Sequence, residues 1–285
     1  MTFSFADSAT VPQLCTLFNT AFSDYVLPLV LTEAVMEMKL TRDGTHLHLS
    51  PLALNEEKEP VGFILNALGE WRGRKTAYNG GTGVVPHGRG HALTERMYQF
   101  CIPRLREQGA EQCLLEVIQE NKRALAIYRR LGFAIQRTFR CFRLEKELLS
   151  WHAHLPHGVT LHKVAGPNWP RYQTFWEIEP SWQHHVAAIG RSGHYVQVVE
   201  ARLQYECVGY GVVYPLTGAI AHLAVAPAWR GKGIGQALCQ KLVEMVSAPA
   251  VTVVNVDAHG TSLLNFVQGR GMQETLGQYE MVLDI

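Results

Sequence analysis

The chain has 285 residues, more than one domain of average size needs and enough for two. Apolar residues make up 47% and charged residues 18%, the balance of an ordinary soluble globular protein. The formal charge of +1 excludes a global basic field for nucleic acid or membrane surfaces, so neither partner is expected.

The six cysteines, Cys15, Cys101, Cys113, Cys141, Cys207 and Cys239, sit in apolar patterns without a CxxC pair, as reduced core residues do. The opening segment Met1 to Asp7 lacks the basic flank and apolar run of a signal peptide, and no stretch reaches the roughly 18 apolar residues of a membrane span. A cytoplasmic location is expected.

In chain order, Thr2 to Phe5 reads as a short strand. Val11, Leu14, Leu17, Phe18, Ala21 and Phe22 then recur at helical spacing, with Thr10 as N-cap and Pro12 in the first turn. Strands follow at Pro60 to Leu65 and Lys75 to Val85, the second interrupted by Gly80 and Gly81, which suggests a bulge. Leu93 to Gln108 is an amphipathic helix that Pro103 is expected to bend. Gln112 to Val117 is a strand, Asn121 to Leu131 a helix stopped by Gly132, and Phe133 to Leu144 extended structure that completes the half. The second half repeats this order: strand at Val159 to His162, helix around residues 168–178, strands at Cys207 to Val213 and Ile220 to Ala226, helix at Gln236 to Val246, strand at Val251 to Val256, helix at Ser262 to Gln268, strand at Gln278 to Leu283. Alternating strands and helices call for an α/β class fold. The expected organisation is a domain over 1–147, a linker over 148–158 and a second domain over 159–285.

One pattern occurs twice. Gly83 to Thr94 and Ala221 to Leu238 each carry an apolar run ending in Pro, then Arg-Gly three residues on, then small residues opening a helix. In Arg230-Gly231-Lys232-Gly233-Ile234-Gly235 the glycines let successive backbone N–H groups turn onto one anion, and the following helix adds its positive end. A pyrophosphate suits such a loop. The dinucleotide fingerprint is not met, because Gln236 stands where a third glycine is needed, and no Gly-Lys-Ser/Thr phosphate loop is present.

The Val-x-Pro segment followed by Arg-x-x-Gly-x-Gly/Ala resembles the cofactor motif of the GCN5-related N-acetyltransferase (GNAT) superfamily. Arg230, Gly233 and Gly235 match it in full; Arg89, Ala92 and Thr94 match loosely. A second motif of that family, Asn-x-x-Ala-x-x-x-Tyr-x-x-x-Gly-Phe, runs from Asn121 through Tyr128 to Phe133. The resemblance implies two tandem domains, each a twisted mixed sheet flanked by helices, and acetyl transfer from acetyl-CoA to a primary amine of a small molecule or peptide. It implies cofactor contacts at Val84, Val85, Arg89, Gly90, His91, Ala92, Leu93, Thr94 and Asn121 in the first half. In the second half these fall at Val225, Arg230, Gly231, Lys232, Gly233, Ile234 and Gly235. Tyr128 is implied as the acid that protonates the leaving thiolate, with Glu116 as candidate base and Val84 or Val225 as oxyanion donor. A gap-free alignment of Gly271-Met272 with Gly132-Phe133 puts Gly260 opposite Asn121, Val267 opposite Tyr128 and Asn255 opposite Glu116. The first half is therefore expected to be catalytic and the second to bind CoA or be structural.

In the second half His222, Asp257 and His259 are further base candidates, and Asp24 and Tyr25 fall where the family lines its acceptor groove. No metal site is expected: His152, His154, His157, His184 and His185 lack HExxH or cysteine-rich spacing. Lys122, Arg123, Arg129, Arg130, Arg137, Arg140, Arg143 and Lys146 form a basic run whose one acid is Glu145. It suits a solvated face, an acidic partner or the 3′-phosphate of CoA. A non-enzymatic acyl-CoA sensor is the competing function. The acceptor and the oligomeric state are not encoded in any motif.

Overall fold

The computed structural model describes residues 1–24, 29–148 and 153–285. Tyr25 and residues 149–152 of the expected linker, His152 among them, lie outside the described residues. In chain order the elements are β1 (Thr2–Phe5), α1 (Val11–Ala21), α2 (Glu33–Asp43), β2 (Pro51–Leu54), β3 (Pro60–Trp71), β4 (Arg74–Val84), α3 (Leu93–Glu107), β5 (Gln112–Ile118), α4 (Lys122–Arg130) and β6 (Ala134–Glu145). They continue with β7 (Val159–Val164), α5 (Trp169–Tyr172), α6 (Val186–Ser192), β8 (Gln197–Leu203), β9 (Glu206–Tyr214), β10 (Ala219–Val225), α7 (Ile234–Glu244), β11 (Ala250–Asp257), α8 (Thr261–Gly269) and β12 (Gln273–Asp284).

The chain forms two compact units, one of Met1–Arg137 with Tyr279–Ile285 and one of Thr138–Gln278. It passes into the second within β6 and returns to the first within β12. The sequence expects Phe133 to Leu144 to complete the first half, but residues 139–145 pair antiparallel with β11 in the second unit. The place by β5 goes to the end of β12; just beyond it Ile285 N donates to Glu111 O at 3.0 Å, and Arg74 pairs with Asp284. Strand periodicity sets which face of a strand is apolar; it does not choose the neighbouring strand.

Within the first unit the strand order is β1-β2-β3-β4-β5 followed by the end of β12. All of the registered pairs from β1 to β4 are antiparallel, and β4 and β5 are parallel. Helices α1 and α3 pack on β3 and β4, burying Leu14, Phe18, Met97 and Cys101 with Phe63 and Leu115. Helix α1 starts in a capping box, where Thr10 and Gln13 bond reciprocally, and Pro12 sits in its first turn as expected. Helix α3 continues through Pro103 to Glu107. Arg137 and Glu280 form a buried ion pair of 2.6 Å, and the Arg137 guanidinium lies 5.6 Å from the Trp71 ring centre.

Within the second unit the order is β6-β11-β10-β9-β8-β7, again mixed, with β10 and β11 parallel. Helix α7 packs on β8, β9 and β10 and buries Ile234, Leu238 and Leu242. The expected helix around 168–178 is shorter, α5 followed by a 3-10 turn at Gln173–Phe175, because Pro170 and the extended Trp176 confine it. Each unit is thus a mixed sheet flanked by helices.

Candidate functional site

The repeated loop has one backbone conformation in both units. Val85 N donates to Val61 O at 2.9 Å, and Ala226 N donates to Val208 O at 2.9 Å. A 3-10 turn follows at Pro86–Gly88 and at Pro227–Trp229, seeded by proline's fixed φ. Two residues are then left-handed in each copy: Gly90 (φ 93°) and Ala92 (φ 50°), Gly231 (φ 75°) and Gly233 (φ 86°). Ala92 and Gly233 are the N-caps of α3 and α7. Arg96 N donates to Ala92 O and Ala237 N to Gly233 O, so the N–H groups between each arginine and these bonds precede the helical ladder. They sit at the positive helix end, where an anion is favoured.

The arginines serve the loop itself. Arg89 Nε donates to Val84 O (3.2 Å) and Nη2 to Ala21 O (3.0 Å); Arg230 Nε donates to Val225 O (3.1 Å) and Nη2 to Phe175 O (2.9 Å). Arg89 also grips Asp24 with two bonds of 2.6 and 2.7 Å, which hold the Asp24 carboxyl below its usual range, while Arg230 Nη1 donates to Ser262 Oγ at 3.1 Å. The sequence expects these guanidinium groups among the cofactor contacts. Their donors are engaged within the protein, so their contribution to an anion site is the shape they impose on the loop.

Beside each loop two parallel strands separate. The β4–β5 register ends at Asn79 and Leu115, although β4 runs on to Val84 and β5 to Ile118. Strands β10 and β11 are registered at Ala219 and Thr252, although they extend to Val225 and Asp257. A bulge falls at Gly80 in β4 and at the equivalent Ala221 in β10. Val84 pairs with Gly62 and Val225 with Gly209, and the bonds made one residue further on mark these as non-hydrogen-bonded pairs. Antiparallel alternation therefore turns the N–H groups of Val84 and Val225 toward the gap.

The downstream helices also superpose in conformation. Asn121 (φ −77°, ψ 69°) and Gly260 (φ −79°, ψ 71°) are their N-caps. Phe133 N donates to Tyr128 O at 2.9 Å, and Met272 N to Val267 O at 3.1 Å. Gly260 and Val267 thus occupy the Asn121 and Tyr128 positions. Asn121 Oδ1 accepts from Ala124 N at 3.0 Å, a helix cap. Tyr128 is buried, its ring edge-on to Tyr98 and Phe133 at 6.4 and 5.6 Å. Glu116 Oε2 accepts from Tyr78 Oη at 2.6 Å, and Glu116 Oε1 is a buried acceptor with no hydrogen-bond partner. Burial pushes the Glu116 carboxyl up to about 7, against the Tyr78 hydrogen bond that lowers it. Its counterpart Asn255 is neutral, accepting from Gln278 Nε2 at 2.9 Å.

A cavity of about 520 Å³ opens in the second unit. It is lined by Gly231, Gly233, Gly235 and Gln236, by Leu223 to Val225 and Val253 to Asp257, and by residues 175–181 and His184. Sequence reasoning does not mark residues 175–183 as a site, because no motif falls there; His184 enters it only among the histidines without metal spacing. His222 also lines the cavity. Its Nε2 must donate to His184 O (2.6 Å), so Nδ1 accepts from Tyr210 Oη (3.0 Å), whose oxygen accepts from Trp176 Nε1 (2.5 Å). Burial lowers His222 to about 4, so the ring is neutral near pH 7. Asp257 lines the cavity and accepts from His259 N at 2.9 Å, while His259 is largely exposed and lies outside the lining.

Among the described residues no cluster of three His, Cys, Asp or Glu is placed to hold a metal. The basic run is dispersed: Arg130 pairs with Glu95, Arg137 with Glu280, Arg140 with Glu274 and Arg143 with Glu145, and Lys146 Nζ donates to Val246 O. All six cysteines are free and buried, and no described helix is long and apolar enough to cross a membrane.

The model of the acetyltransferase (GNAT) family matches residues 12–133 and 161–272. No match was found among curated proteins. Among solved structures, a GCN5-related N-acetyltransferase from Sphaerobacter thermophilus is similar over 99% of this chain and 95% of its own, with TM-score 0.73 at 17% identity. A tandem GNAT protein from the clavulanic acid biosynthesis pathway covers 99% of this chain and 98% of its own, with TM-score 0.76 at 15% identity. A glucosamine N-acetyltransferase region of a fungal multi-domain β-N-acetylglucosaminidase covers 99% of this chain and 38% of its own, with TM-score 0.69 at 14% identity. At these identities the likeness concerns the fold. With two matched segments, two equivalent loops and two splayed strand pairs, the chain belongs to the acetyltransferase (GNAT) family as a tandem-domain member.

Proposed function

We propose that the protein is an acetyl-CoA-dependent N-acetyltransferase, acting in the cytoplasm on a primary amine of a small molecule or peptide, with its cofactor in the second unit. The observation that carries this reading is the cavity of about 520 Å³ running from the Gly231–Gly235 loop into the gap between β10 and β11. The cofactor would supply an acetyl group activated as a thioester. The N–H groups of Gly231, Lys232, Gly233, Ile234 and Gly235 would hold its pyrophosphate at the α7 N-terminus. Val225 N–H faces the gap, in position to donate to oxygen as negative charge develops there.

The transfer forms a C–N bond as a C–S bond breaks. The amine must first lose a proton, and the sulfur must end with one. Of the three carboxylates in the cavity lining, Glu177, Glu179 and Asp257, we take Asp257, at the end of β11, as the base for the amine proton, directly or through water. His222 is less suited, because its acceptor nitrogen is occupied by Tyr210.

A second reading puts the transfer in the first unit, with Glu116 as base, Tyr128 as acid, and Val84, Val85, Asn121 and the Arg89–Thr94 backbone around the cofactor. The unpartnered Glu116 Oε1 favours it, together with a carboxyl near 7, where a general base works well at neutral pH. Release of CoA thiol from acetyl-CoA over an amine panel, measured for Asp257→Asn, Tyr128→Phe and Glu116→Gln, separates the readings. A loss of at least ~10-fold in Asp257→Asn alone supports the first; the same loss in Tyr128→Phe or Glu116→Gln alone supports the second. CoA binding with no thiol release for any amine would make the protein an acyl-CoA sensor.

A further inference from the structure

We infer that Glu177 is a positioning residue of the second unit's cavity. It caps α8 from outside the helix, and with Arg230 it clasps residues 175–181 to the cofactor loop, so that an occupied loop fixes this stretch of wall. The inference rests on the reading that the cofactor lies in that cavity.

The two units cap the helix after the splayed strands in different ways. In the first, Asn121 does so with its own side chain, whose Oδ1 accepts from Ala124 N at 3.0 Å. In the second, the N-cap is Gly260, which makes no side-chain cap bond. Glu177 supplies the bond instead: Oε2 accepts from Ser262 N at 2.9 Å and Oε1 from Thr261 Oγ1 at 2.8 Å. The Ser262 N–H bond, then the Thr261 bond, hold the Glu177 carboxyl below its usual range, so it is ionised near pH 7, the form a helix N-terminus favours. A Cβ at Gly260 would meet Ile178 Cγ1 at 3.5 Å and Asp257 O at 3.2 Å, so an asparagine there would have to share its space with the wall. Glycine at 260 and glutamate at 177 thus belong together: the helix lacks its own cap, and the wall provides one.

Arg230 completes the clasp. Its Nη2 donates to Phe175 O (2.9 Å) and its Nη1 to Ser262 Oγ (3.1 Å), so the wall and α8 are both tied to the residue that shapes the loop. In the first unit Arg89 holds Ala21 O and takes the Asp24 carboxylate itself. Trp176 lies between the two tethered residues, and Phe175, Trp176, Glu177, Arg230, Gly260 and Ser262 all line the cavity. A pyrophosphate held by the Gly231–Gly235 N–H groups would order the loop, and a loop already ordered lowers the entropy cost of ordering the wall bonded to it. Without Glu177 the clasp keeps its Phe175 bond and loses its hold on the residues that follow.

The test is amide hydrogen exchange on the full chain, read by mass spectrometry with and without saturating CoA. In the wild type CoA should slow exchange at residues 231–235 and, by at least ~10-fold, at residues 176–181, a ratio within the usual range for coupled sites. Glu177→Ala should keep the protection at 231–235 and lose most of that at 176–181. Glu177→Gln, whose single carbonyl oxygen can still accept from Ser262 N, should fall between the two; it carries the test if the alanine variant fails to fold in a thermal melt. A role in the fold alone predicts a different pattern: faster exchange in α8 of Glu177→Ala with and without CoA, and unchanged CoA protection at 176–181. That pattern overturns the inference, as does a wild type in which CoA protects 231–235 and leaves 176–181 unaffected. A wild type in which CoA does not protect 231–235 removes the cofactor placement itself, and the inference with it.

Discussion

Gly235→Asp separates the two loops most cleanly. Gly235 is the second residue of α7. A Cβ there would meet Phe266 at 3.5 Å and Val225 at 3.7 Å, ordinary contacts, so the side chain fits. An acid in a first helical turn is worth about 0.3–1 kcal/mol to the helix, and removing glycine adds a few tenths, so the fold should hold or gain slightly. The same carboxylate would stand where a pyrophosphate is proposed. Two unit charges about 5 Å apart at an effective dielectric near 20 repel by about 3 kcal/mol, and discounting for solvent exposure leaves about 2 kcal/mol, or ~30-fold in Kd. Thr94→Asp is the matched change at the second residue of α3. Calorimetry with CoA should show the ~30-fold loss for Gly235→Asp and less than about a two-fold change for Thr94→Asp, with thermal melts confirming that both fold. Undiminished CoA binding by Gly235→Asp would refute the placement, and a loss confined to Thr94→Asp would move the cofactor to the first unit.

Ala92→Gly should stabilise the protein by up to about 1–2 kcal/mol in denaturant titration, because it relieves a left-handed alanine, φ 50°. Gly233→Ala should destabilise by more than that, since its Cβ would lie 2.5 Å from His154 O. Glu280→Ala should cost about 3–5 kcal/mol by leaving Arg137 buried without its carboxylate, measured by urea unfolding. A chain ending at residue 147 lacks Tyr279–Ile285 and should fail to fold as judged by near-ultraviolet dichroism, because those residues belong to the first unit. The folded Glu116 carboxyl, near 7, keeps its proton at pH values where the unfolded side chain, near 4.5, has released it. Stability from this group is therefore full below about pH 4.5 and falls as pH rises through 7; Glu116→Gln should remove that slope from a series of melting temperatures.

Much of the fold was legible because its signals are local. Thr10 and Pro12 announce α1, Gly132 and Gly271 end the last helix of each half, and Pro-x-x-Arg-Gly marks a turn by residue chemistry alone. Where local chemistry is mute, the sequence is too. Gly80 advertises its bulge, but Ala221 makes the same bulge with no unusual residue. Helix α2 buries Met36 and Met38 on opposing spacings and offers no clean stripe, and α6, β2 and β8 lie in segments without a motif. The neighbours of β6 and β12 are a tertiary choice that no strand pattern specifies. Arginine in the loop was readable as a residue for phosphate, yet the same fork of donors suits backbone carbonyls, and only coordinates show Arg89 and Arg230 spent on Val84, Ala21, Val225 and Phe175.

The two copies have kept the backbone and diverged in what it presents. Ala92 and Gly233, Asn121 and Gly260, and Tyr128 and Val267 sit at matching positions with matching hydrogen bonds, so each exchange changes chemistry at nearly fixed geometry. The first unit carries a buried tyrosine and a carboxyl raised to about 7, while its loop has a strained alanine and a threonine where the second has glycines. In the second unit they strip side chains away at Gly233, Gly235 and Gly260, and all three glycines line the large cavity. Backbone donors need room for a ligand to approach, and glycine provides it. On the reading proposed above, Gly233, Gly235 and Gly260 leave space for a cofactor in the second unit, with Asp257 in the same lining. In the first unit Glu116 accepts from Tyr78, and Tyr128 packs on Tyr98 and Phe133, contacts that serve the fold whether or not either residue acts on a substrate.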